Sequence, residues 1–269
     1  MPELPEVETV RRTLALTLIG EKMSSVELIY PKIVLYDYQL FQDQIKHQTI
    51  RDIKRMGKYL IFILDDHVMI IHLRMEGKFY IKTHEEVLKH EHIIFHFESG
   101  RELRYHDVRK FGTINFLPKN NYLNQDPLNR LGKEPKDLDV NSFYQKLQSK
   151  KVPIKVALLD QHIIAGLGNI YVDETLYLAK IHPTKQSNTL DFEDAKRVLA
   201  AAIAVLDKAV ALGGTTIRSY TSSLGVHGKF QNELNVHLRK GKPCKVCQTE
   251  IIKIKVGGRG TYVCPECQK

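Results

Sequence analysis

What this chain lacks narrows its chemistry before any motif is read. It holds no apolar run long enough to cross a membrane and opens with no secretory leader, so a cytoplasmic protein without a membrane partner is expected. Cysteine is scarce, at four residues in 269. In a reducing compartment those thiols stay unpaired, which sets aside a disulfide framework. No internal repeat or low-complexity tract is visible, which excludes a solenoid. Acidic residues are outnumbered, 31 Asp and Glu against 40 Lys and Arg, leaving a net charge of +9. A polyanion is therefore a more natural partner than an acidic small molecule. Gly166-x-Gly168 lacks the third glycine and the preceding strand of a dinucleotide fingerprint, so no nucleotide cofactor is expected.

The cysteines that are present are spaced informatively. Cys244-x2-Cys247 is followed by sixteen residues and then by Cys264-x2-Cys267, a spacing that suits one four-thiolate zinc ion, with iron–sulfur or redox use as the alternative. Between the pairs, Ile251 to Val256 alternates like a hairpin strand. A segment this short builds no core of its own, so the metal is expected to hold it together. Residues 235–269 carry eight Lys and Arg against two Glu, which places most of the positive excess on this module.

The other end of the chain reads Met1-Pro2-Glu3-Leu4-Pro5-Glu6. Removal of Met1 would leave Pro2 as a free secondary amine. An unhindered α-amino group titrates near ~8, so part of it is nucleophilic at neutral pH. A secondary amine that condenses with an aldehyde gives a charged iminium, an electron sink for elimination. Glu3 and Glu6 lie beside it in sequence, where carboxyl groups can donate or accept protons. The segment also reads as an ordinary helix start. Pro5 sits in the first turn, the acids complement the helix dipole, and Val7, Val10, Leu14 and Leu18 form the buried stripe. The two readings are compatible.

Along the chain the pattern is α+β and multidomain. Short apolar or alternating runs at 58–64, 68–73, 92–97 and 102–105 are separated by the turn signals Asp65-Asp66, Glu76-Gly77 and Ser99-Gly100, which predicts an antiparallel β-sandwich. Beyond Leu131-Gly132 the period changes, and helices are predicted over 141–149, 153–162, 170–179 and 191–212. The longest opens on Asp191 with Asp194 three residues later and closes on Gly213-Gly214, as capping chemistry requires. Several residues suit a plain sandwich poorly. Lys58 opens a strand, Met75 sits at a turn, and Arg109 and Phe111 share a basic loop. On loops beside arginine, apolar wedges can enter a base stack, while Arg faces the partner of an extruded base.

Taken together, Pro2 to Thr9, Gly57 to Leu60, His72 to Met75, Lys89 to His92, Asp107 to Gly112, Gly166 to Tyr171 and Gly258 to Gly260 resemble the bacterial formamidopyrimidine-DNA glycosylases. The resemblance spans the whole chain. It implies an N-terminal antiparallel β-sandwich with a leading helix at 1–131, a linker at 132–138, a helix-two-turn-helix domain at 139–234 and a four-cysteine zinc finger hairpin at 235–269. A loop at 213–230 matches the one that caps the lesion. Damaged double-stranded DNA is the implied partner, bound by a monomer across the cleft between the domains. The implied activity is excision of 8-oxoguanine and formamidopyrimidines followed by strand cleavage.

By the same resemblance, Pro2 attacks the deoxyribose, Glu3 transfers protons with Glu6 nearby, Lys58 serves β-elimination, and Arg259 serves δ-elimination and a phosphate contact. Met75, Arg109 and Phe111 match the residues that fill the space left by a flipped nucleotide. His72, His90, Arg109, Lys150 and Asn169 match DNA contacts. One departure is visible: Val236-His237-Leu238-Arg239 stands where the family reads Val-Tyr-Gly-Arg. Leucine in place of glycine predicts that position 238 has no positive φ angle. Two rivals are weaker. Endonuclease VIII, which acts on oxidised pyrimidines, resembles Pro-Glu-Gly-Pro-Glu at its start, and a non-catalytic zinc-ribbon DNA-binding protein leaves Pro2 unexplained.

Overall fold

The structure, a computed structural model, describes residues 1–215 and 228–269. The chain divides into two compact units, one built from Met1–Asn129 and rejoined at Thr215, the other from Arg130–Gly214 and Lys229–Lys269. Most of the expected lesion-capping loop at 213–230 lies outside the described residues.

In the first unit, helix α1 (Leu4–Leu18) starts with a proline in its first turn, a position where the missing N–H costs nothing. Its stripe of Val7, Val10, Leu14 and Leu18 is buried as predicted. It joins a core shared by two antiparallel sheets. One sheet has the order β1 (Met23–Leu28), β6 (Glu91–Phe97), β7 (Glu102–His106), β5 (Lys78–Lys82). The other has the order β2 (Asp52–Met56), β3 (Tyr59–Ile63), β4 (His67–His72), β8 (Thr113–Pro118). Phe62, Met69, Phe79, Phe95, Tyr105 and Phe116 fill the space from both inner faces, and helix α2 (Tyr38–Ile45) adds Phe41 and Ile45 to it. A register shift between Glu91 and Ile93 bulges β6 at His92. Bulges of this kind re-aim side chains at a sheet rim.

The second unit is helical, with α3 (Val140–Gln148), α4 (Ile154–Leu159), α5 (Asn169–Leu178) and α6 (Phe192–Ala211). Asp191 caps α6 by accepting the Asp194 amide at 2.7 Å, and Gly213 and Gly214 follow it with φ angles of 73° and 77°, as the sequence predicts. Helix α4 is shorter than the predicted 153–162. The Asp160 carboxylate takes the His162 amide at 3.0 Å, an Asx turn that offers the chain a competitor to the next helical turn. The unit ends in a hairpin of β9 (Ile252–Val256) and β10 (Arg259–Val263). Gly257 and Gly258 make its two-residue turn, both with positive φ, and glycine meets that demand at no steric cost.

Leu238 departs from expectation: its φ is +60°. The Arg239 amide bonds back to the Val236 carbonyl at 3.0 Å, closing a four-residue turn whose third position is left-handed. The turn imposes this conformation although leucine disfavours it. No helix among the described residues is long and apolar enough to cross a membrane.

Candidate active site and nucleic-acid interface

The start of α1 gathers charge into a buried corner of the first unit. Pro2, Glu3, Glu6 and Lys58 are all buried. Glu6 Oε2 accepts the Glu3 amide at 2.9 Å, while its Oε1 accepts the Thr215 amide at 2.7 Å and the Thr215 hydroxyl at 3.0 Å. One carboxylate thus ties the helix start to the residue from which 216–227 departs. Burial holds the Met1 α-amino group below its usual value; Glu3, Glu6 and Glu76 oppose that shift and Lys58 adds to it. The amine, Glu3, Glu6 and Lys58 are therefore near enough to interact electrostatically. A buried amine of lowered basicity is a better nucleophile at neutral pH than an exposed one.

Met75 and Phe111 ride on two loops of this unit and are exposed to 37 % and 52 %. Beside Met75, His72 is buried and its pKa falls to about 3, through burial and then the charges of Arg74 and Lys58. The ring is neutral at physiological pH. Its Nδ1 accepts the Arg74 amide at 2.9 Å, which leaves the proton on Nε2. The second loop is organised by Asp107, which is fully buried. Its carboxylate accepts the amides of Arg109 at 3.0 Å, Phe111 at 2.9 Å and Gly112 at 2.9 Å. The Arg109 guanidinium lies 4.7 Å from the centre of the Phe111 ring, within cation–π range. His90 has a φ of 73°, and its ring lies edge-on to those of His92 and His106. Burial lowers the pKa of both neighbours.

In the second unit, Asn169 opens α5 just after Gly168 and donates from Nδ2 to the Gly260 carbonyl at 3.1 Å. Lys155 Nζ approaches the same carbonyl at 3.4 Å and pairs with Asp173 at 2.6 Å, both side chains being inaccessible to solvent. Two side chains thus hold the backbone next to exposed Arg259. Lys150 is exposed, 3.7 Å from Asp160.

The thiol sulfurs of Cys244, Cys247, Cys264 and Cys267 all lie within 4.8 Å of one another, with Cys247–Cys264 at 3.4 Å and Cys244–Cys267 at 3.8 Å. Tetrahedral Zn–S bonds of about 2.3 Å put sulfurs about 3.8 Å apart. The donor set therefore fits zinc, and these residues form the structural zinc site. Tyr177 Oη lies 3.2 Å from Cys244 Sγ. The amides of Val246 and Cys267 point at cysteine sulfurs at 3.4 Å, the outer-shell bonds that orient thiolates.

Sequence reasoning missed three positioning groups: Asp107, the Lys155–Asp173 pair, and Glu174, whose carboxylate accepts the amides of Asn235, Val236 and His237. Asp107 left a local trace, an Asp two residues before a loop amide. The other two left none, because their partners lie far along the chain.

Residues 1–114 match the formamidopyrimidine-DNA glycosylase N-terminal domain, 131–221 its H2TH domain, and 241–269 a zinc finger found in FPG and IleRS. Formamidopyrimidine-DNA glycosylase of Oceanobacillus iheyensis is 47 % identical over 273 residues, covering 100 % of this chain and 98 % of that protein. Among solved structures, a Lactococcus lactis FPG variant bound to Fapy-dG-containing DNA has a TM-score of 0.94 at 46 % identity. The L. lactis enzyme bound to abasic-site DNA has a TM-score of 0.93 at 44 % identity. Each covers 100 % of both chains. With matches running from end to end, the chain belongs to the formamidopyrimidine-DNA glycosylase family of DNA-repair enzymes.

Proposed function

We propose that this protein excises oxidised purines, 8-oxoguanine and formamidopyrimidines, from double-stranded DNA and then cleaves the abasic strand by β,δ-elimination. The observation that carries the reading is the buried corner of Pro2, Glu3, Glu6 and Lys58, whose charges act on the Met1 α-amino group beside Pro2. With Met1 removed, the Pro2 nitrogen attacks C1′ of the damaged nucleotide. The bond from C1′ to the base breaks, and the base leaves with that electron pair and takes up a proton. Glu3 transfers protons at the sugar as the ring opens to an iminium, and Glu6 holds the Glu3 amide in place. Lys58 removes the C2′ proton, expelling the 3′ phosphate. Arg259 contacts phosphate and assists the second elimination, which expels the 5′ phosphate.

Met75, Arg109 and Phe111 fill the gap left by the extruded nucleotide, replacing part of the lost stacking. His90, Lys150 and Asn169 position the backbone, and His72 contributes as a neutral donor. The protein acts as a monomer in the cytoplasm without a nucleotide cofactor. Borohydride reduction is the test: it should trap the protein covalently on a duplex carrying 8-oxoguanine opposite cytosine. A form with one residue added ahead of Pro2 has a tertiary amide there and should give no trapped complex. Undiminished trapping by that form would transfer the nucleophile to another amine.

A further inference from the structure

Met75 and Phe111 belong to different loops, one following β4 and the other following β7, yet the two loops meet at a single atom. Tyr105 is fully buried on β7, where it pairs with Ile93 and Phe79 across the sheet. A Cβ added at Gly77 would collide with its hydroxyl and lie 2.6 Å from the Leu73 carbonyl. A Cβ added at Gly112 would collide with the same hydroxyl and lie 2.8 Å from Cζ. Neither glycine has a positive φ, so each is required for space rather than for backbone freedom. Gly77 closes the Met75 turn through its amide bond to the Leu73 carbonyl at 3.0 Å. Gly112 closes the Arg109–Phe111 loop through its 2.9 Å bond to Asp107. The Tyr105 hydroxyl also touches that carboxylate, at 3.4 Å.

We propose that Tyr105 is a positioning residue that couples the two loops, its hydroxyl seated between Gly77 and Gly112 so that Met75 and Phe111 advance into the duplex together. The physical reason is close packing. A buried oxygen in contact with both loop ends transmits displacement between them, whereas a gap of the same size would let each loop settle alone. The inference rests on the base-excision reading above.

A double-mutant cycle separates coupling from simple stability. Single-turnover excision of 8-oxoguanine from duplex DNA is measured for Met75→Ala, Phe111→Ala and the pair, in the native and the Tyr105→Phe backgrounds. Phenylalanine keeps the ring and removes only the oxygen, so the fold is retained, and a thermal melt checks this. In the native background the combined loss should depart from the product of the single losses by roughly threefold or more, as for interacting residues. In Tyr105→Phe the losses should multiply to within about twofold, the additive limit for independent sites. Fluorescence of 2-aminopurine beside the lesion gives a second readout. One insertion step in the native protein should become two in Tyr105→Phe. Coupling that survives Tyr105→Phe, or is missing in the native background, overturns the proposal while leaving the glycosylase reading intact. A native protein that excises no base overturns both.

Discussion

At the start of α1 and in the middle of α5 the chain buries carboxylates beside a lysine, and the two places use that burial differently. In α5 the charges are answered by one another and by backbone. Asp173 takes Lys155 on one oxygen and His237 Nδ1, at 2.8 Å, on the other. Glu174 accepts the amides of Asn235, Val236 and His237 between 2.9 and 3.0 Å. At α1 burial lowers the basicity of the Met1 amine, with Glu3 and Glu6 opposing the shift and Lys58 adding to it. Buried charge alone therefore does not mark chemistry. On the proposed mechanism, what distinguishes the α1 corner is an amine that forms a new bond.

The largest expected effect concerns that corner. Glu3→Gln should slow base excision about 10²- to 10⁴-fold, the usual contribution of a positioned proton-transfer group, while the thermal melt stays near that of the native protein. Single-turnover kinetics at saturating enzyme would measure it; a loss below fivefold would remove the distinction between the two sites. Lys155→Met tests the other side. It removes the lysine from one oxygen of buried Asp173, leaving only His237 and the Tyr262 amide on the other, and should cost about 3–5 kcal/mol of stability in urea titration. A cost under 1 kcal/mol would show that the α5 charges are not a structural unit.

The pH dependence gives a finer measurement. Burial lowers the Met1 α-amino group; on the proposed mechanism a Pro2 amine left in the same buried corner should likewise stay unprotonated as pH falls and lose reactivity only below its own lowered pKa. The acid limb of the trapping rate should therefore have its inflection below ~8, read as trapped complex against pH. An inflection at or above that value would mean that burial does not govern the amine. The smallest effect is at Leu238. Relieving a left-handed leucine gains about 1–2 kcal/mol, and glycine's greater chain entropy takes back about 0.5–1 kcal/mol. Leu238→Gly should then stabilise by roughly 0.5–1 kcal/mol, raising the melting temperature by a few degrees. A lower melting temperature would show that the side chain makes contacts worth more than the strain.

Much of this was legible where the determinants are local. The zinc ligands follow from spacing, α6 from its cap and terminal glycines, and the α1 stripe from helical periodicity. The corner of Pro2, Glu3 and Glu6 could be read because all three are neighbours in sequence. Three things could not. The end of α4 depends on Asp160 outcompeting the helix for the His162 amide. The sign of φ at Leu238 is imposed by a turn whose amides are held from α5. The contact of Tyr105 with Gly77 depends on the pairing of β5 with β7, which residue pattern does not specify.

Glu174 has a consequence for how DNA would be held. By fastening three successive amides of 235–237, it makes the segment that leads into the zinc hairpin part of the folded interior rather than a tether. Two binding elements on a flexible tether gain avidity through an effective concentration that falls as the tether lengthens. Here the ordering entropy of residues 235–237 is spent during folding, before any ligand arrives, so the phosphate contacts proposed for Asn169 and Arg259 should form in one step. The finger and the helices then behave as one footprint on the duplex, with a single salt slope rather than two separable affinities.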